Sequence, residues 1–207
     1  IQDRIVNKMK NHHWFGGTSN PYLAMKYDVP VVGTMAHEWI QGISALESMN
    51  HPNRFMLEKW TQVYGTDLSV ALTDTFGTKS FLKDFDKKFA YIFAGVRHDS
   101  ADPFEYTDKI INHYKSLDID YTNKVITFSD SLTADKAVKI KQYCNSVNIK
   151  SKFGIGTSFT NDFDTPALNM VIKLSKVNGF DVVKLSDEDG KNNGEPKMIE
   201  IMKKIHL

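Results

Sequence analysis

Cysteine occurs once in 207 residues, at Cys144, so no internal disulfide can form. The surrounding KIKQYCNSV reads as a helix with no CxxC or Cys/His metal spacing. A dominant charge is missing as well: 26 Lys and Arg stand against 25 Asp and Glu, for a net charge of +1. That balance removes a global field toward nucleic acid or an anionic membrane, so any anion is bound locally. No apolar run reaches spanning length, and the opening IQDRIVNKMK lacks the charged-then-apolar order of a secretory signal. These absences point to a soluble protein of a reducing, cytoplasmic setting, with neither nucleic acid nor membrane as partner.

What is present suffices for a sizeable core: 41% of the residues are hydrophobic, in a length that suits one domain or one and a half. Ile1, Ile5 and Met9 recur at helical spacing, as in a helix already in progress, which suggests a fragment of a longer chain. Short apolar, β-branched runs then alternate with helical patterns. The runs are VPVVGT from Val29, LSVALTD from Leu68, YIFAGVRHD from Tyr91, KVITFSD from Lys124 and KFGIGT from Lys152. Helices are predicted from Glu38 to Ser48, Lys79 to Phe89, Pro103 to Leu117 and Ala134 to Asn145. A βα rhythm of about thirty residues predicts part of a (β/α) barrel, with a doubly wound sheet as the alternative.

The rhythm changes after Asp162. ALNMVIKLSKVNGFDVVKLSDEDGK holds two strand-like runs around Val177-Asn178-Gly179, a hairpin signal because Asn-Gly supports positive φ. The polar loop DEDGKNNGEPK and a short helix in PKMIEIMKKIHL follow. The chain therefore divides into a barrel part, 1–162, and a returning C-terminal part, 163–207.

In parallel βα architectures ligands sit at the C-terminal strand ends. The residues found there include Thr34 and His37, Asp74, Arg97 and Asp99, Ser129 and Asp130, and the GIGTS run with Gly156 and Thr157. Hydroxyls, glycines and aspartates in these places suit a phosphorylated sugar. Backbone N–H groups and hydroxyls hold phosphate, while carboxylates take ribose hydroxyls or Mg²⁺. GIGTS equally suits a tight turn. His37, near a helix start, can act as acid, base, nucleophile or plain structural residue. Arg97 and Asp99 share one side of a continuing strand, as a ligand-binding fork or a strand-end salt bridge, and His98 points the other way.

GTSNPYLAMKYDVPVVGTMAHEW, VALTDTFGT, GVRHDSADP, TFSDSL, FGIGTSFTND and LNMVIKLSKVNG, in this order and spacing, resemble the nicotinate phosphoribosyltransferases over nearly the whole chain. GTMAHEW and FGIGT are the specific motifs among them. The resemblance implies a type II phosphoribosyltransferase fold: an irregular α/β barrel, with C-terminal strands returning to a smaller α/β domain whose N-terminal part is absent from this chain. It also implies nicotinate, 5-phosphoribosyl 1-diphosphate and ATP as substrates, Mg²⁺ as cofactor and a homodimer.

Residue by residue, the resemblance makes His37 the histidine phosphorylated by ATP and Thr34 a substrate contact. Arg97 becomes the arginine facing nicotinate, Asp99 the aspartate near ribose, and Gly156 with Thr157 a phosphate loop. Asp74, Ser129 and Asp130 fall in the ribose or metal environment. Related nicotinamide enzymes carry Asp where Ser19 stands; a carboxylate accepts from an amide and repels nicotinate, so serine favours the acid. Ser19 or Asn20 also suits the N-cap of a helix in PYLAMKY. Family members commonly carry Gly at Ala101, and a positive φ there would strain alanine. A nicotinamide or quinolinate enzyme and a non-catalytic phosphosugar-binding module are the rival readings.

Overall fold

Side-chain caps set many of the helix starts. Asn20 accepts from the Leu23 N–H, Asp102 from Phe104 and Glu105, and Thr133 from Lys136. Pro21 and Pro103 occupy first helical turns, where a missing N–H costs nothing. A computed structural model describes residues 1–161, 165–168, 170–188 and 190–207. In order, it contains helices α1 (Gln2–Met9), α2 (Pro21–Tyr27), α3 (His37–Leu46) and α4 (Pro52–Tyr64), strand β1 (Val70–Leu72), and helices α5 (Thr78–Asp84) and α6 (Lys87–Ile92). Strand β2 (Gly95–His98), helix α7 (Pro103–Ser116), strand β3 (Val125–Phe128), helix α8 (Ala134–Ser146) and strand β4 (Lys150–Phe153) follow. Last come α9 (Thr157–Thr160), β5 (Lys176–Val177), β6 (Phe180–Asp181) and α10 (Pro196–His206).

Strands β1 to β4 form one parallel sheet in the order β1-β2-β3-β4. The chain is therefore α/β, as its rhythm predicts. Among the described residues the sheet is open, so the predicted barrel is not closed. Gly95 begins β2 where a Cβ would come within 1.8 Å of the Val125 carbonyl oxygen, an approach that only glycine permits. Val96, Ile126 and Phe128 are fully buried in the sheet, and the core continues through Phe76, Phe81, Phe85, Phe89 and Phe93.

Several local expectations are corrected. VPVVGT forms only an isolated bridge, Thr18 to Val31. Pro30 brings no N–H to a ladder, and Val31 and Val32 are exposed, so nothing rewards longer pairing. The helix expected from Lys79 to Phe89 is two helices, because Asp86 caps a new start at Lys88 and Phe89 while His113 Nε2 satisfies the Phe85 carbonyl. Tyr91 and Ile92 end α6 and do not begin β2.

The hairpin is present, with Asn178 at φ 47° and Gly179 at φ 84° joining β5 and β6. Its first strand is far shorter than ALNMVIKLSK suggests: 170–175 are not strand, and Asn169 lies outside the described residues. The expected boundary between 162 and 163 also lies outside them. Beyond β6 the chain returns to the end of β1. Leu185 N–H donates to the Thr75 carbonyl at 2.8 Å, and Val182, Val183 and Leu185 are buried. Among the described residues no helix is long and apolar enough to cross a membrane.

Candidate functional site

Register brings the strand ends together. Leu72, Arg97, Thr127 and Lys152 are successive partners, and one step on His98 pairs with Phe128 and Phe128 with Phe153. Ser129 N–H continues the ladder to the His98 carbonyl at 3.1 Å, and Gly154 N–H to the Phe128 carbonyl at 2.8 Å. The residues leaving β1, β2, β3 and β4 thus share one rim.

Asp99 is the hub of that rim. Its Oδ1 accepts from Arg97 Nη2 at 2.7 Å and from Ser129 Oγ at 2.6 Å, and its Oδ2 lies 3.0 Å from His37 Nε2. Burial works to raise its pKa. The His37 hydrogen bond, the Arg97 charge and the Ser129 hydroxyl outweigh burial and hold the carboxyl well below the usual range. Asp99 is therefore an anion that can only accept, and His37 must carry its proton on Nε2. Nδ1 faces the Thr75 hydroxyl 2.8 Å away, and in the neutral ring it is the nitrogen that keeps a lone pair. His37 is buried, on the first residue of α3, where the helix N-terminus adds positive potential.

Arg97 is held on every nitrogen. Nε donates to Ser129 Oγ at 2.8 Å, and Nη1 to Thr34 Oγ1 at 2.6 Å and to the Met35 carbonyl at 3.1 Å. With the Asp99 bond, four of its five N–H groups are engaged, leaving one Nη2 hydrogen and the guanidinium face for a ligand. Arg97 and Asp99 do share a side, as alternation predicts. His98 is buried on the other, donating from Nε2 to the Ala101 carbonyl at 3.1 Å. Ala101 itself sits at φ 71°, in the left-handed region where alanine is strained.

Asp74 lies behind His37, between Ser100 and Lys184. Its Oδ2 accepts from Ser100 Oγ at 2.8 Å and faces Lys184 Nζ at 3.2 Å, while Oδ1 is buried with no hydrogen-bond partner, 3.8 Å from His37 Nε2. His37, Asp74 and Asp99 could each offer a ligand atom within 4.8 Å of one another. Arg97 and Lys184 already match both carboxylates, and Mg²⁺ prefers a set of oxygens to an imidazole, so these residues do not make a Mg²⁺ site by themselves.

Beside the cluster lies a cleft of about 430 Å³, lined by Ser129, Ser131, Leu132, Thr133, Gly154, Gly156, Thr157 and Ser158. Ser129 is the residue common to cleft and cluster. Gly156 and Thr157 are exposed on its wall, and Asp130, half-buried, accepts from Ser131 Oγ. Ser19 is exposed and outside the hydrogen-bonded network, and Asn20 provides the α2 cap. Thr75 and Ser100 are strand-end residues of VALTDT and GVRHDS that received no individual role from sequence, and Lys184 was not singled out at all. Lys184 could have been noticed as a lone charge between Val183 and Leu185.

The chain matches the model of the "Nicotinate phosphoribosyltransferase (NAPRTase) family" over residues 1–206. It is 46% identical to the nicotinate phosphoribosyltransferase of Methanosarcina acetivorans over 205 residues, covering 97% of this chain and 50% of the relative. With that of Saccharomyces cerevisiae it shares 41% identity over 208 residues, 95% of this chain and 48% of the relative. It is similar in structure to the crystallised nicotinate phosphoribosyltransferase of Porphyromonas gingivalis, with a TM-score of 0.93 and 39% identity over 100% of this chain and 56% of the other. For that of Vibrio cholerae the TM-score is 0.95 at 36% identity, over 99% and 51% of the two chains. The chain thus spans about half the length of the curated relatives it matches.

Proposed function

The chain belongs to the nicotinate phosphoribosyltransferase family, and on that premise we propose that it carries the phosphoryl-acceptor and pyridine-facing site of an ATP-stimulated enzyme. This enzyme forms nicotinate mononucleotide and diphosphate from nicotinate and 5-phosphoribosyl 1-diphosphate, for the synthesis or salvage of NAD. The observation that carries the reading is the buried His37, whose Nε2 lies at hydrogen-bond distance from the Asp99 carboxylate while Nδ1 faces the Thr75 hydroxyl, so that in the neutral ring Nε2 donates and Nδ1 presents its lone pair.

The pyridine nitrogen of nicotinate attacks the anomeric carbon, and the bond to the diphosphate oxygen breaks. Arg97 meets nicotinate with its free Nη2 hydrogen and its face, and Thr34 and Ser129 keep the guanidinium from turning. Asp99 faces the ribose, where its negative charge favours the cationic character that develops at the anomeric carbon. Gly156 and Thr157 receive the 5-phosphate in the cleft beside Ser129. Ser19 leaves the pyridine site without the carboxylate that would select an amide.

His37 Nδ1 attacks the γ-phosphorus of ATP, the bond to the β-γ bridging oxygen breaks and ADP leaves. Asp99 stabilises the positive charge that the ring then carries. Hydrolysis of phospho-His37 biases binding toward product. In this reading Mg²⁺ arrives with the phosphates of the substrates.

The monotonic strand order, with no reversal of direction along the sheet, favours a partial barrel over a doubly wound sheet. Residues 1–162 are its barrel part and 163–207 the part returning to a smaller domain. A cytoplasmic homodimer completes the reading. Competition between labelled nicotinate and nicotinamide tests the substrate choice: product from nicotinate is expected, and product from nicotinamide alone overturns it.

A further inference from the structure

Two carboxylates flank one imidazole proton, and they are not equivalent. Asp99 Oδ2 is at hydrogen-bond distance from His37 Nε2, whereas Asp74 Oδ1 stops at 3.8 Å. Asp74 is 1% exposed and Oδ1 has no hydrogen-bond partner, so a strong pull toward the nearest N–H is to be expected of it. What holds it back is on its other oxygen, where Ser100 Oγ and Lys184 Nζ converge at 2.8 and 3.2 Å.

Lys184 reaches this point from a different part of the chain. It lies beyond β6, in the segment bound to the end of β1 by the bond from Leu185 N–H to the Thr75 carbonyl, and it is itself buried. Its backbone is fixed without the side chain: Lys184 N–H donates to the Asn193 carbonyl and Asn193 N–H to the Lys184 carbonyl, both at 2.9 Å. The Asp74 carboxylate therefore turns one oxygen to the ammonium and the other toward His37.

We propose that Lys184 is a positioning residue for phosphoryl transfer to His37: by anchoring Asp74 it leaves Asp99 alone to orient the imidazole, so that Nδ1 stays aligned for attack. Without the ammonium, Asp74 is a buried carboxylate with one hydroxyl donor, and the His37 N–H, 3.8 Å from Oδ1, is able to supply a second bond. Closing the 3.8 Å gap turns the ring off the axis that runs from Thr75 to Asp99. A small misalignment of a nucleophile costs rate more than binding. This inference rests on the reading of His37 as the phosphoryl acceptor.

The test is single-turnover transfer of the γ-phosphoryl of radiolabelled ATP to His37 in full-length wild-type protein and in Lys184→Met and Lys184→Arg. Methionine keeps the unbranched chain without the charge, and arginine keeps the charge. In Lys184→Met the rate of labelling falls by about tenfold or more while the KM for ATP stays within about threefold, and Lys184→Arg returns to within about threefold of wild type. Labelling of Lys184→Met at the wild-type rate overturns the inference and leaves the His37 reading intact. An equal loss in both variants, accompanied by a lowered melting temperature, assigns Lys184 to packing and overturns it too. Wild-type protein that takes no label overturns the phosphoryl-acceptor reading and this inference with it.

Discussion

His37 Nε2 stands 3.0 Å from Asp99 Oδ2, and this contact decides which ring nitrogen is free to react. Asparagine at this position can present an N–H to the ring in place of an acceptor, and it brings no charge to Arg97. Asp99→Asn is expected to lower the rate of His37 phosphorylation by about two orders of magnitude or more. Single-turnover labelling checks this, with circular dichroism to confirm the fold.

Arg97 uses the planarity of its guanidinium to meet Ser129, Thr34, Met35 and Asp99 at once. Lysine has a single nitrogen and cannot reproduce that set. Arg97→Lys should raise the KM for nicotinate by about tenfold or more, with a smaller change in the KM for phosphoribosyl diphosphate. Steady-state kinetics with each substrate varied in turn separates the two.

Ala101 pays for its φ of 71° in backbone strain. Ala101→Gly removes about 1–2 kcal/mol of that strain and adds about 0.5–1 kcal/mol of unfolded-state entropy. The net expectation is a protein more stable by about 0.5–1 kcal/mol with the His98 bond to residue 101 kept. Urea denaturation reads the difference.

Burial lowers the pKa of His98 and of His206. Both donate from Nε2, to Ala101 and Met49 carbonyls, while Nδ1 of His98 is buried without a partner and that of His206 faces Ser80 Oγ. The unfolded chain takes up protons at these sites near pH 6.5 and the folded one only at lower pH. Stability is therefore full above that range and falls as pH drops below it. Asp99, also lowered, adds a second loss below about pH 4, where the unfolded carboxyl protonates before the folded one. Urea unfolding at about pH 7.5 and pH 5.5 should show the first loss, and the slope should flatten in a His98→Gln, His206→Gln variant.

The α/β alternation was legible because β1, β2 and β3 carry short apolar stretches and the caps at Asp102 and Thr133 fall where a helical pattern begins, whereas β4 is the polar KSKF and only its Lys152-Phe153 end falls in the run read as a strand. Helix α4 went unread although Pro52, Met56 and Leu57 carry its buried face. VPVVGT misled because β-branched composition speaks for a strand only when a partner supplies the ladder. At the site, alternation placed Arg97 beside Asp99, and strand-end position singled out His37, Thr34 and Ser129. Neither rule reaches the links from Thr75 to His37, separated by 38 residues, or from Lys184 to Asp74. Those are tertiary contacts between distant segments, and local pattern carries no trace of which carboxylate a buried lysine will meet.

The most direct measurement is turnover of labelled nicotinate by the full-length protein and its His37→Ala variant, with phosphoribosyl diphosphate, with and without ATP. Nicotinate mononucleotide should form, and ATP should stimulate its formation only where His37 is present. Absence of product under every condition, or equal stimulation by ATP in His37→Ala, would contradict the assignment of His37 as the phosphoryl acceptor of a nicotinate phosphoribosyltransferase.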